Sequence, residues 1–252
     1  MNPLHRALIE KAGQEQGWEH SFEGNGDEVQ LRSARHKARV QIRQTEISCW
    51  ELVMPKGLIS DELARSFPHG LRRDATFIAS SLDELSKLLR RAAELAQSLP
   101  NQAELFYAAS VKQALIEIGP TTTEVECMVR RRLGQDTFRQ ALMDYWGGAC
   151  AVTGIALPAI LRASHAKPWA DCVTDAERLD VYNGFLLTAN LDALFDRGLI
   201  SFDDTGNMIF SAALSSSLCT DLGLNTLKPL RWLSDRHRSY LRWHREHFFE
   251  RN

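Results

Sequence analysis

Four polar residues in the C-terminal half of the chain could together hydrolyse a substrate: His165, Asn183, Asp192 and Asp196. A neutral histidine can take a proton from water near pH 7. Asp192 and Asp196 are four residues apart, so on a helix they lie on one face, where like charges repel. Bound Mg²⁺ or Mn²⁺ would relieve that repulsion, because carboxylate oxygens suit these hard cations. A water-activating histidine beside such a cation can hydrolyse a phosphodiester bond.

The neighbouring sequence predicts the elements that must position these residues. Asp192 and Asp196 fall in a predicted helix over 188–197, and His165 is followed by Pro168 and Trp169, which would stiffen its loop. The other predicted elements are helices over 123–133 and 135–146 on either side of Gly134, a hairpin joining 199–202 to 208–211, and a C-terminal helix over 234–250. The hairpin turn at 203–206 is too short for an EF-hand calcium loop.

The first hundred residues predict a separate small α+β module. Apolar residues alternate with polar ones around Val29, Val40 and in 46–54, which predicts a three-stranded antiparallel sheet. Helices are predicted over 3–16, from Ser81 to Pro100 with a capping box at Ser81 and Glu84, and over 101–119. We therefore predict an α+β protein with an N-terminal module over 1–110 and a second domain over 111–252.

Composition excludes several classes of protein. The five cysteines are scattered without a C-x-x-C pair, which argues against a disulfide framework or a zinc ribbon and favours free thiols. No apolar run is long enough to cross a bilayer, and the N-terminus lacks a secretory apolar region, so we expect a cytoplasmic protein. The net charge of −2 gives no sign of a nucleic-acid partner, but basic residues cluster locally, at 35–39, at 130–132 and through the C-terminal segment.

Four ordered sequence blocks resemble the HNH endonuclease family. They are ACAVTG at 149–154, SHAKPW at 164–169, NGFLLT at 183–188 and LDALFDRGLISF at 191–202. With the arginine-rich segment before them, the resemblance covers residues 124–214. It implies a ββα-metal nuclease domain with flanking helices and one divalent metal, Mg²⁺ or Mn²⁺.

The resemblance also implies a role for each candidate residue. His165 matches the general base, and Asn183 matches the central asparagine that holds the histidine loop. Asp192 occupies the third signature position, as a metal ligand in place of histidine. Asp196 matches a further ligand position, and the alternative is that it caps the helix end and pairs with Arg197. Ser164 departs from the family, because many members carry an acidic residue or histidine that binds metal there.

A nuclease of this kind would have DNA as its partner. Phosphate contacts are predicted for four cations: Lys167, Arg197, Arg242 and Arg245. A restriction or defence role and a homodimer are expected by analogy, and the N-terminal module is predicted to recognise DNA or regulate the enzyme. The alternatives are a catalytically inactive DNA-binding or regulatory protein with the same fold, and a protein whose N-terminal module senses a ligand or partner.

Overall fold

The computed structural model describes residues 2–24, 27–46, 49–67 and 75–249. It is a mixed α+β structure of two compact units, Met1–Leu99 and Pro100–Asn252. The domain boundary predicted at residues 110 and 111 falls inside a helix of the second unit. All five cysteines are free thiols. None of the helices within the described ranges is long and apolar enough to span a membrane.

The first unit contains a five-stranded antiparallel sheet in which the strands lie side by side in chain order. The strands are β1 (His20–Glu23), β2 (Glu28–Arg32), β3 (Arg39–Glu46), β4 (Cys49–Val53) and β5 (Thr76–Ala79). The prediction of three strands was wrong, because the two edge strands were missed. β1 is exposed at every position, and β5 (TFIA) carries apolar residues on both of its faces, so neither sequence alternates between apolar and polar residues.

Three helices complete this unit: α1 (Pro3–Glu15), α2 (Leu58–Ser66) and α3 (Leu82–Ser98). The sheet buries alternate residues on one face, among them Val29, Leu31, Val40, Ile42 and Leu52. α1 contacts β2, and α3 contacts β5. The predicted N-cap of α3 is confirmed, since Ser81 Oγ accepts the Glu84 N–H at 3.2 Å. The predicted capping box is changed by one residue, because the Glu84 carboxylate accepts the N–H of Ser80, the residue before the N-cap, at 2.7 Å.

The second unit begins with two long packed helices, α4 (Gln102–Ile118) and α5 (Thr123–Tyr145). The prediction of two helices separated at Gly134 was wrong, because α5 runs through this residue without a break. The glycine is explained by packing: a β-carbon at Gly134 would lie 2.8 Å from Cζ2 of Trp169 and closer still to Cη2. Glycine therefore lets the indole ring approach the helix backbone.

Two strands and a helix follow as a ββα unit. β6 (Leu161–His165) and β7 (Gly184–Thr188) pair antiparallel, with His165 opposite Gly184. The short helix α6 (Asp175–Arg178) lies in the segment between them, and α7 (Ala189–Asp196) follows β7 and contacts both strands. All five residues of β7 are buried, so this unit forms the centre of the second core.

The remaining elements cover that centre. β8 (Ile200–Phe202) and β9 (Met208–Phe210) form the predicted hairpin, which is confirmed. The chain continues through α8 (Ser216–Asp221) and α9 (His237–His244), and α9 runs on into a π-helical turn (Arg245–Phe249). The predicted C-terminal helix is therefore present, with regular α-helix over its central part.

Candidate active site

His165 ends β6 and is enclosed by aromatic rings. Its imidazole stacks on Phe138 of α5, with ring centroids 3.7 Å apart and planes 13° from parallel. Trp169 meets it edge-on at 6.1 Å. Gly184 permits the close approach of Phe138, because a β-carbon there would lie 2.5 Å from Cζ of that ring. The histidine is thus held in one orientation by packing from α5 and from its own loop.

The hydrogen bonding of His165 fixes which ring nitrogen carries the proton. Nε2 lies 2.9 Å from the backbone oxygen of Arg178. A carbonyl oxygen can only accept, so Nε2 donates and the lone pair lies on Nδ1. Burial lowers the pKa of His165 to about 4, and the Arg178 carbonyl opposes that shift only in part. The ring is therefore neutral at pH 7, and the Arg178 carbonyl leaves the Nδ1 lone pair unused.

Asn183 is fully buried and fastens the loop after His165. Its Oδ1 accepts the N–H of Lys167 at 2.8 Å, and its Nδ2 donates to the Lys167 carbonyl at 3.0 Å. Nδ2 also lies 3.2 Å from the carbonyl of Glu177. The Asn183 amide thus hydrogen-bonds to backbone groups near both ends of the segment between β6 and β7, at Lys167 and at Glu177.

Arg178 and Glu177 complete this clamp, and sequence reasoning missed both. The Arg178 guanidinium donates to the carbonyls of Cys172 (2.6 Å) and Trp169 (3.2 Å) and pairs with Asp175 at 3.0 Å. The Glu177 carboxylate accepts the Val173 N–H at 2.7 Å. The only available signal was the density of charged residues between 171 and 180, which resembles that of an ordinary surface loop.

The two aspartates of α7 are coupled electrostatically. Asp196 is exposed as a residue, yet neighbouring protein atoms desolvate its carboxylate. This desolvation, with the charge of Asp192, raises the pKa of Asp196 to about 6, against a smaller effect of Arg197. Ser164 Oγ donates a hydrogen bond to Oδ1 of Asp192. Ser164 therefore orients one aspartate, which sequence reasoning did not anticipate.

His165 and Asp196 line one cavity of about 310 Å³, together with Trp169, His244 and Phe248. His244 is buried and stacks on Phe195 at 3.9 Å. Its Nε2 donates to the Phe195 carbonyl at 3.0 Å, so Nδ1 accepts from Ser201 Oγ, also at 3.0 Å. His244 thus ties α9 to the end of α7, and its position in the cavity was not predicted.

The predicted phosphate-binding cations occupy different environments. Lys167 Nζ pairs with Glu177 Oε1 at 2.6 Å, and both side chains are largely covered. Arg245 donates to the Phe202 carbonyl and to Asp204, each at 2.7 Å, so it holds the C-terminal turn on the hairpin. Arg197 and Arg242 are exposed. Lys167 and Arg245 therefore already form ion pairs within the chain, and none of the four cations lines the cavity.

The donor groups suit a hard divalent cation only in part. Within the described ranges, no group of three or more His, Cys, Asp or Glu side chains is arranged to hold a metal ion. Magnesium, however, is commonly bound by one or two carboxylates together with waters and substrate phosphates. Asp192 and Asp196 supply two carboxylates. Desolvation, and after it the charge of Asp192, raises the pKa of Asp196, and a bound cation would offset both effects. These two residues therefore fit such an ion.

Comparison with known proteins agrees with this geometry. Residues 150–203 match the family model described as HNH endonuclease. The matched segment contains β6, β7, α7 and β8, and with them His165, Asn183, Asp192 and Asp196. No curated protein matches the chain. The C-terminal region of the chain therefore contains a domain of the HNH endonuclease family.

Proposed function

We propose that the protein is a metal-dependent DNA endonuclease that hydrolyses phosphodiester bonds. The observation that carries the proposal is the tautomer of His165. Its Nε2 donates to the Arg178 carbonyl, which leaves the Nδ1 lone pair to accept a proton, and the neutral ring lines a cavity that Asp196 also lines. A neutral imidazole beside a carboxylate fits general-base activation of water near a bound cation.

Each residue of the site has a distinct role in this proposal. His165 takes the proton of the attacking water, and Phe138 holds the ring plane. Asn183 keeps the loop after His165 in place through its two bonds to the backbone of Lys167. Asp192 and Asp196 would hold one Mg²⁺ or Mn²⁺. When bound, such a cation would stabilise charge on the scissile phosphate and on the departing 3′ oxygen.

The test is cleavage of plasmid DNA by the purified full chain with Mg²⁺, Mn²⁺ or EDTA. We expect nicking or cutting with metal only, and its loss in His165→Ala. His247→Ala is the matched control, because this histidine stacks on Trp243 and does not line the cavity. Equal activity in H165A and wild type would refute the role of His165. Equal inactivity of both, with intact folding, would refute the nuclease proposal on these substrates.

One observation favours the non-catalytic alternative. Ser164 hydrogen-bonds to Asp192 where an acidic residue or histidine would bind metal, and no three His, Cys, Asp or Glu side chains among the described residues are arranged to hold a metal ion. If this change has removed activity, the domain binds DNA without cutting it. If the wild-type protein binds DNA but cleaves none with any of the metals, the non-catalytic alternative is supported.

Two finer expectations stay predictions. A restriction or defence role follows only from the resemblance, and a difference in cleavage between methylated and unmethylated plasmids would support it. A homodimer would let two sites cut both strands of a palindrome. Sedimentation of the protein with and without DNA measures that state directly.

A further inference from the structure

The sheet of the first unit has one face that its helices leave open. On β2 and β3, Val29, Leu31, Val40 and Ile42 point to the buried face. Because side chains alternate along a strand, the residues between them lie on the opposite face. There the cross-strand partners are Arg32 opposite Arg39, Gln30 opposite Gln41, and Glu28 opposite Arg43.

At one end of this face, three exposed cations have no acidic partner among the described residues: Arg32 and Arg39 on the strands, and Lys37 in the turn that joins them. Arg32 and Arg39 are direct cross-strand neighbours, an arrangement in which like charges destabilise a sheet. No carboxylate within the described ranges forms an ion pair with any of the three. At the other end of the face, Arg43 pairs with Glu28 at 2.9 Å and approaches Glu51 at 4.0 Å. Among the described residues, the charges of these three cations are therefore unpaired, while Glu19, near the same end, is paired with Arg35.

The local structure holds this end of the sheet in a defined shape. His36, in the turn between β2 and β3, is buried edge-on against Trp18, with ring centroids 4.8 Å apart. This contact anchors the turn that bears Lys37. The Arg32 guanidinium lies 5.1 Å from the ring of Phe22, an exposed aromatic residue on β1. Packing of His36 on Trp18 and of Arg32 on Phe22 therefore helps to fix the positions of these cations.

A groove runs beside Arg39 on the same face. Its volume is about 460 Å³, and its lining includes Gln30, Gln41, Val53 and Pro55. The two glutamine amides can donate and accept hydrogen bonds, and the cations suit phosphate oxygens. A strand of nucleic acid presents a phosphate row with polar bases beside it, which matches this combination of charge and groove.

We propose that the Arg32–Lys37–Arg39 end of the open sheet face binds the phosphate backbone of DNA. This inference rests on the proposed function, because the choice of DNA among polyanions follows from the HNH domain of the same chain. Contacts of this kind position the substrate without reading its sequence. They would add binding surface that the cavity around His165 does not provide.

The experiment measures binding without cleavage. The full chain carrying His165→Ala is titrated onto a fluorescent DNA duplex in EDTA, and anisotropy is followed over a range of salt concentrations. Each lost phosphate contact lowers the slope of log K against log salt by about 0.9, so Arg32→Gln with Arg39→Gln should lower it by about 2. We expect affinity to fall by about tenfold at moderate salt, because two contacts account for roughly that factor.

Arg43→Gln is the matched control. It removes one positive charge from the same face, but a charge that Glu28 and Glu51 already compensate. Its slope should stay near that of the parent, whereas Lys37→Gln alone should lower the slope by about 1. Circular dichroism melting verifies that each variant is folded. An unchanged slope in the double variant, or an equal loss in R43Q, would overturn the proposal.

Two further comparisons separate the possible failures. Displacement of the duplex by polyglutamate as effectively as by unlabelled DNA would reassign the surface to an acidic protein and overturn the proposal. Wild-type cleavage is assayed in parallel. If the protein cuts DNA but R32Q/R39Q binds as before, the surface proposal fails and the nuclease stands. If no cleavage occurs but the double variant loses binding, the nuclease proposal fails and the surface stands.

Discussion

Substitution of Gly134 by alanine sets helix propensity against packing at the site. The glycine lies in the middle of α5, where alanine would stabilise a helix by about 1 kcal/mol. The added methyl group, however, would overlap the indole of Trp169, whose Cζ2 would be only 2.8 Å away. This overlap would displace Trp169. Because its indole contacts His165, which stacks on Phe138, the displacement would disturb the packing around His165.

The magnitudes favour a net loss. Forcing extra atoms into a packed interior costs about 1–3 kcal/mol. The gain in helix propensity is only about 1 kcal/mol, so the cost is the larger of the two. We expect G134A to lower the free energy of unfolding by up to about 2 kcal/mol. Trp169 lines the cavity beside His165, so its displacement should also slow cleavage, by about 10- to 100-fold, as small misplacements of reacting groups do.

The assay compares the same substitution in two backgrounds. Urea unfolding is measured for wild type, Gly134→Ala, Trp169→Ala and the double variant. If the two units unfold in separate transitions, the one that Trp169→Ala shifts is compared. Once the indole is removed, alanine at 134 should stabilise the protein by about 1 kcal/mol, because only propensity remains. A reversal of sign between the backgrounds supports the reasoning. Stabilisation by G134A in the wild-type background would refute it.

Three other predictions follow from the site. Asn183→Ala removes the partner of the Lys167 N–H and one donor from each of the Lys167 and Glu177 carbonyls, so the free energy of unfolding should fall by about 2–5 kcal/mol; a loss below about 1 kcal/mol in urea would contradict this. Burial holds the pKa of His165 and of His244 at about 4, below the unfolded value of 6.5, so folding stability should be full above pH 6.5 and decline as the pH falls towards 4. Each histidine contributes about 3 kcal/mol to that decline, and Asp196, with its raised pKa, offsets part of it; melting temperatures that stay level over this range would argue against both burials. Asp196→Asn should raise the melting temperature in EDTA, since it removes a desolvated charge next to Asp192, and should abolish the thermal shift produced by Mn²⁺; an undiminished shift would place the cation elsewhere.

Sequence reasoning succeeded where pattern and local chemistry agree. The cap at Ser81, the helix after Asn101 and the hairpin around residue 203 are all confirmed, because each depends on residues close together in the chain. The HNH family domain is confirmed as well, since its blocks have specific residues at characteristic spacing. The proximity of His165 and Asp196 at one cavity agrees with the order of those blocks.

The errors arose where a distant contact overrides a local preference. Gly134 suggested a break in the helix, but the indole of Trp169, 35 residues later, requires a glycine there within a continuous α5. The clamp formed by Arg178 could not be predicted, because its partners are backbone carbonyls with no signature in the sequence. Edge strands such as β1 lack a buried face, so they show no alternation. Position within the fold, more than residue type, determined these features.

The support of the ββα unit by outside elements limits how this domain can be moved between proteins. Phe138, which stacks on the candidate base, and Gly134, which admits Trp169, both precede the segment that matches the family. Downstream of that segment, Arg231 Nη1 bonds the carbonyls of Trp146 and Ala149, and His244 bonds that of Phe195. A fragment cut at 150 and 203 would keep every signature residue yet expose the histidine and lose its stacking partner. A chimaeric protein that keeps the arrangement around His165 must therefore include α5 and α9. We expect substitutions in these two helices to occur together with substitutions in the residues of the ββα unit that they contact.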